Sequence, residues 1–128
     1  MIDDTLSTGA TAPATLTTCQ DMSGAFRQRS AMRVTADVAL LDACAELGEL
    51  AGAYLKQCRY APSGANGLAD SPPSDRVRAE FGDALFALLS FADAAGLDSE
   101  AEFFATLKRY EERFTDERSG SGTDDRRG

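Results

Sequence analysis

The sequence predicts an all-α fold: a helical bundle of three to four helices, with the long helices packing into a dimeric or tetrameric bundle. Three observations predict it. Apolar residues recur three or four apart over long stretches, and no alternating strand pattern competes with them. The segment Ala84–Ala92 is apolar nearly all round, and a helix of that kind needs cover on most sides. Three helices from a chain of 128 residues hardly provide that cover, so a second copy related by a two-fold axis is the simplest partner.

Residues 1–18 are rich in Thr, Ala, Ser and Gly and read as a disordered or weakly ordered N-terminus. The all-α domain is expected over 19–118, with one short helix around Met22–Arg29. The first long helix is expected from Arg33 to Gln57, on a stripe of Val34, Val38, Leu41, Ala45, Gly48, Gly52 and Leu55. A second apolar set, Leu40, Leu47, Leu50 and Tyr54, lies on another face. Residues 59–73 carry Pro62, Gly64, Asn66, Gly67, Pro72 and Pro73 and form a loop. Ser74 is the expected N-cap of the next helix, with Asp75 at its positive end. That helix stops at Gly96, a strong C-terminal signal. Asp98 or Ser99 caps a last helix over Glu100–Glu117, with Phe103, Phe104, Leu107, Tyr110 and Phe114 as its apolar positions. Residues 119–128 read as a flexible tail.

Composition removes several functions. There is no histidine, which excludes Ser-His-Asp and Cys-His nucleophile pairs and His-containing metal sites. A net charge of −8 from 21 acidic and 13 basic residues repels a nucleic acid polymer. No apolar run is long enough to span a membrane. Cys19, Cys44 and Cys58 fit no metal-binding spacing, and Cys44 reads as a small buried thiol; a reducing, cytoplasmic setting is expected. The basic residues are 11 Arg against 2 Lys, which fits either adaptation to high salt or a GC-rich genome.

The chemistry is therefore left to carboxylates, and two segments concentrate them. Ala45-Glu46-Leu47-Gly48-Glu49 and Ala79-Glu80-Phe81-Gly82-Asp83 share the form Ala-Glu-apolar-Gly-acid at a constant offset of 34 residues. Residues three apart are neighbours on a helix surface, so each segment presents a pair of acids. If the two helices pack antiparallel, the pairs converge. Four unpaired carboxylates repel one another and resist burial. A hard divalent cation relieves both costs, and oxygen-only ligation selects Mg²⁺, with Mn²⁺ as a substitute. The expected metal ligands are Glu46, Glu49, Glu80 and Asp83. Glycine inside a helix costs roughly 1 kcal/mol against alanine, so Gly48 and Gly82 suggest close approach to the backbone beside each acidic pair. Beyond Asp83, the small residues Ala87 and Ser90 continue the same face as one wall of a narrow pocket. The competing interpretation is a solvated acidic face on a structural helical module.

At these residues the chain resembles the MazG-like nucleotide pyrophosphohydrolases, an all-α superfamily with Glu-Glu-x-x-Glu on one helix and Glu-x-x-Asp on the next. Glu46 and Glu49 stand for the second and third acids of the first motif, and Glu80 and Asp83 form the second. Gly82-Asp83-Ala84-Leu85-Phe86 matches the stretch that follows in the family, and Arg109-Tyr110-Glu111-Glu112-Arg113-Phe114 looks like the end of its third helix. The likeness covers residues 33–116. Ala45 replaces the leading Glu, Leu107 a common Asn, and Arg109 a Lys. The resemblance implies a homo-oligomeric, Mg²⁺-dependent enzyme that hydrolyses a nucleoside triphosphate to the monophosphate and pyrophosphate. In that reading Glu46, Glu49, Glu80 and Asp83 hold the metal, and either Glu46 or Glu49 serves as the catalytic base. Lys56, Arg109 and Arg113 are the candidates to contact the phosphates. Tyr54 and Phe86 are expected in the core, with base stacking as their other use. The alternative is a non-catalytic module that binds nucleotide or metal.

Overall fold

The computed structural model describes residues 13–31, 34–60 and 71–120. Four α-helices make up nearly all of them: α1 (Leu16–Arg29), α2 (Ala36–Arg59), α3 (Asp75–Ala95) and α4 (Ser99–Gly120). No strand occurs among the described residues. Of the start expected to be weakly ordered over 1–18, residues 1–12 lie outside the described residues, as do Pro62, Gly64, Asn66 and Gly67 of the expected loop and 121–128 of the expected tail; residues 16–18 and 119–120, expected in those ends, are helical.

The helix ends follow their capping residues. Ser74 Oγ accepts from Val77 N at 3.2 Å, so α3 starts where its N-cap predicts. Gly96 ends α3 at φ +71°, a left-handed conformation that favours glycine. Leu97 N then donates to Ala92 O at 2.9 Å, the six-to-one bond of a Schellman ending. Asp98 Oδ1 accepts from both Glu100 N and Ala101 N at 3.1 Å and caps α4. The start of the chain departs from expectation. Thr15 Oγ1 accepts from Thr18 N at 3.1 Å, so α1 begins at Leu16 rather than near Met22. The low apolar content of residues 15–21 hid that helix, but its Thr cap needs no apolar signal.

α2 and α3 run antiparallel. Gln57, at the end of α2, donates through Nε2 to Pro72 O at 3.1 Å and accepts from Ser74 N through Oε1 at 2.9 Å. The two bonds tie the end of α2 to the start of α3. The face of α2 that meets α3 is not the expected stripe. It carries Ala39, Ala43, Glu46, Leu50, Ala53 and Gln57, while Val38, Leu41 and Leu55 point away and are exposed. Helix separation depends on the side chains at the contact, and alanines permit a close seam. α3 answers with Val77, Glu80, Ala84 and Ala87, at helical spacing. An acid from each helix thus sits within an otherwise small, apolar seam.

α1 lies on the other side of α3. Gly24 makes that contact possible, because a Cβ there would come within 2.6 Å of Asp93 Oδ2. Arg27 Nη2 donates to the same carboxylate oxygen at 2.7 Å. Gln20, buried, fastens the turn between α3 and α4: its Nε2 donates to Leu97 O at 2.6 Å and its Oε1 accepts from Ser99 N at 2.9 Å. Thr17 Oγ1 adds a bond to Glu100 Oε2 at 2.9 Å.

Among the described residues the buried apolar side chains are four alanines, Val77 and Leu89. α4 buries none of its residues. Phe103, Phe104, Leu107, Tyr110 and Phe114 are all exposed, as are Leu41, Leu47, Phe81 and Leu88. Tyr54 and Phe86 are not core residues either; the Phe86 ring packs edge-on against Phe26, 5.8 Å between centroids. Cys44, expected to be buried, is exposed, because it lies one residue round the helix from the seam position Ala43. No described helix is long and apolar enough to cross a membrane.

Candidate metal centre

The antiparallel seam brings three of the four predicted acids together. Carboxylate oxygens of Glu46, Glu80 and Asp83 all lie within 4.8 Å of one another. Glu46 comes from the middle of α2 and is half-buried; Glu80 and Asp83 come from one turn of α3. Glu80 is only 6% exposed. Its Oε1 accepts from Arg76 Nε at 2.7 Å, one turn back on the same helix. Its Oε2 is buried without a hydrogen-bond partner, and so is Glu46 Oε2. Orphaned carboxylate oxygens on two acids of one cluster are costly, and a cation held by the cluster reduces that cost. An all-oxygen donor set of this kind could hold a hard cation.

Glu49 stands outside the trio, on the rim, yet acts on it. The Glu46 carboxyl is held above the ordinary glutamate range, first by desolvation. The charges of Glu49 and Asp83, hydrogen bonding of the protonated form to Glu49, and the charge of Glu80 add to the shift. Desolvation and the charges of the neighbouring acids thus act together at Glu46.

A cleft flanks the trio on each side. The larger, about 620 Å³, lies where the end of α2 meets the start of α3 and is lined by Glu49, Lys56, Tyr60, Ser74 and Arg76 among others. Lys56, seven residues past Glu49 and so about two turns along α2, opens onto the same cleft. The smaller, about 300 Å³, runs beneath α1 and takes in Arg27, Glu46, Asp83, Phe86, Ala87 and Ser90. Ala87 and Ser90 form the predicted wall. Neither cleft takes a lining residue from α4, so Arg109 and Arg113 are not brought to the acids. Arg109 Nη2 instead donates to Thr106 on its own helix at 2.8 Å.

The glycines do not play the expected part. A Cβ at Gly48 or Gly82 would meet nothing within 4 Å. Neither admits a close neighbour among the described residues; the glycine that does is Gly24. Two further residues, Arg76 and Arg27, escape the sequence pattern. Arg76 is four before Glu80, a spacing that was available as an ion-pair signal. Arg27 reaches the small cleft through tertiary packing, for which no local pattern exists. Arg27 Nε and Ser90 Oγ are buried there without partners.

Compared with known protein families, with curated proteins and with solved structures, the chain matches none.

Proposed function

We propose that the protein is a divalent-metal-dependent nucleoside triphosphate pyrophosphohydrolase. The reading rests on one observation above all: Glu46, Glu80 and Asp83 converge from two helices, with two of their oxygens buried and unpartnered. The motif likeness to the MazG-like enzymes supplies the reaction class. Water adds to the α-phosphorus, the bond from that phosphorus to the bridging oxygen breaks, and pyrophosphate leaves with the bond's electrons.

Glu46, Glu80 and Asp83 would hold the ion. When bound, magnesium supplies charge neutralisation at the phosphate oxygens and Lewis acidity toward water. The remaining work falls to the chain. Glu49, exposed on the rim beside the trio, is the carboxylate free to accept the proton of the attacking water. Lys56 lines the large cleft with Glu49 and offsets the charge of the polyphosphate tail.

The same reading includes self-association. Leu47, Phe81, Leu85 and Leu88 border an apolar groove of about 200 Å³ across the α2–α3 pair, and all four are exposed. Exposed apolar patches of this kind mark interfaces, and a second copy is the cover proposed here, in a cytoplasmic setting that suits three unpaired cysteines.

The test is release of pyrophosphate from a panel of deoxynucleoside triphosphates with Mg²⁺. Wild-type protein is expected to release it and Glu80→Gln to release almost none. Equal, background-level release by both overturns the enzyme. If Mn²⁺ still raises the melting temperature in that case, the non-catalytic binding module takes its place.

A further inference from the structure

One side chain, Arg76, links the large cleft to the acidic trio. Arg76 holds Glu80 Oε1 at 2.7 Å, yet its side chain is 73% exposed and lines the cleft beside Lys56. Glu80 itself is nine-tenths buried, with Oε2 unpartnered. The guanidinium is therefore fastened at one atom to the acids, while its remaining N–H donors are available to the cleft. Ser74, the N-cap of α3, also lines that cleft, so the positive end of the α3 dipole opens onto it. Asp75, the one acid of that first turn, is fully exposed and lies 3.8 Å from Arg78 rather than Arg76.

We propose that Arg76 is a shared cation, which neutralises Glu80 and, together with Lys56, makes the large cleft a site for condensed phosphate. The inference rests on reading the trio as a cation site. A divalent ion at Glu80 and the Arg76 guanidinium compete for one carboxylate. An ion arriving there weakens the hold on Arg76 and releases its planar fork of donors to the phosphate in the cleft, geometry that suits phosphoryl oxygens. An anion that draws Arg76 away leaves Glu80 less compensated and so favours the ion. The two sites are coupled through one side chain, and the coupling is reciprocal. In a pyrophosphohydrolase this would seat the polyphosphate tail over the end of α2.

Two separate titrations test it, neither of which uses turnover. Mn²⁺ uptake is followed by the electron paramagnetic resonance of the free ion, with no phosphate present. Tripolyphosphate binding is followed by calorimetry in EDTA. For Arg76→Ala the expected result is opposite shifts. Mn²⁺ binds about fivefold tighter, the low end of site-to-site coupling, and tripolyphosphate about tenfold weaker, as for loss of a charge-assisted contact. Lys56→Ala weakens tripolyphosphate and leaves Mn²⁺ where it was. A purely structural ion pair does not produce opposite shifts. Unchanged or weaker Mn²⁺ binding in Arg76→Ala, or unchanged tripolyphosphate binding, overturns the shared cation and leaves the hydrolase standing. The expected shifts without any pyrophosphate release from nucleotides keep the shared cation and remove the hydrolase. No Mn²⁺ uptake by the wild-type protein removes both.

Discussion

The two copies of Ala-Glu-apolar-Gly-acid follow one pattern in the sequence and are unequal in the structure. In both, the first acid turns into the α2–α3 seam, and the apolar residue after it, Leu47 or Phe81, turns outward onto the same groove. The copies part at compensation and reach. Glu80 is buried and has Arg76; Glu46 is half-buried, and its neighbours are acids. Asp83 joins the trio, whereas Glu49 opens onto the large cleft. Spacing by three residues places two acids on one helix face, but the line along which the helices touch decides which of them meet.

The inequality predicts a graded series of variants. Glu80→Gln should have the largest effect, because it removes the most buried ligand: about a hundredfold or greater loss of pyrophosphate release, and loss of Mn²⁺ uptake at micromolar ion. Asp83→Asn should follow, with roughly tenfold weaker Mn²⁺ binding, since an exposed ligand is more readily replaced by water. Glu49→Gln should sharpen the contrast: release falls about a hundredfold through kcat, while Mn²⁺ affinity stays within about threefold of wild type. Equal losses of Mn²⁺ binding for Glu49→Gln and Glu80→Gln would erase the difference between the copies.

Glu46 gives a pH-dependent signature. Its proton is held more tightly in the folded chain than in the unfolded one. Its contribution to stability is therefore complete below the ordinary glutamate value and is lost as pH rises through the higher folded value. In buffer with EDTA, Glu46→Gln should raise the melting temperature at about pH 8 and leave it nearly unchanged at about pH 4. A shift that is equal at both pH values would show that Glu46 carries no such strain.

Smaller effects concern the frame that supports the acids. Gly24→Ala forces a methyl group against Asp93 and should cost about 1–3 kcal/mol in chemical denaturation, as for overpacking elsewhere; Gly48→Ala, in open space, should instead gain up to about 1 kcal/mol. Light scattering at micromolar protein should give about twice the 13.6 kDa chain mass, and Phe81→Asp should reduce it to one.

Much of this frame was legible in the sequence because it is local. The Ser74 cap, the Gly96 stop and the Asp98 cap each act within one turn, and so does the pairing of acids three apart. What failed was the choice of face on α2. The large residues Val38, Leu41 and Leu55 carry the strongest apolar signal, but the seam is built on Ala39, Ala43 and Ala53, which a periodicity of bulky residues does not reveal. The same choice concealed that Glu46 lies at the contact line and Glu49 beside it. Arg27 reaches the cleft beside Glu46 and Asp83 only through the docking of α1, a long-range contact that Gly24 accommodates. The aromatic residues of α4 gave a clear helical stripe, which a single copy leaves uncovered.

The trio itself can be observed directly by growing crystals with Mn²⁺ and collecting anomalous diffraction at the manganese edge. The account predicts a peak within bonding distance of Glu46, Glu80 and Asp83 together, with Glu49 outside the inner coordination shell. No peak at the α2–α3 seam, or manganese bound only at unrelated surface acids, would contradict it.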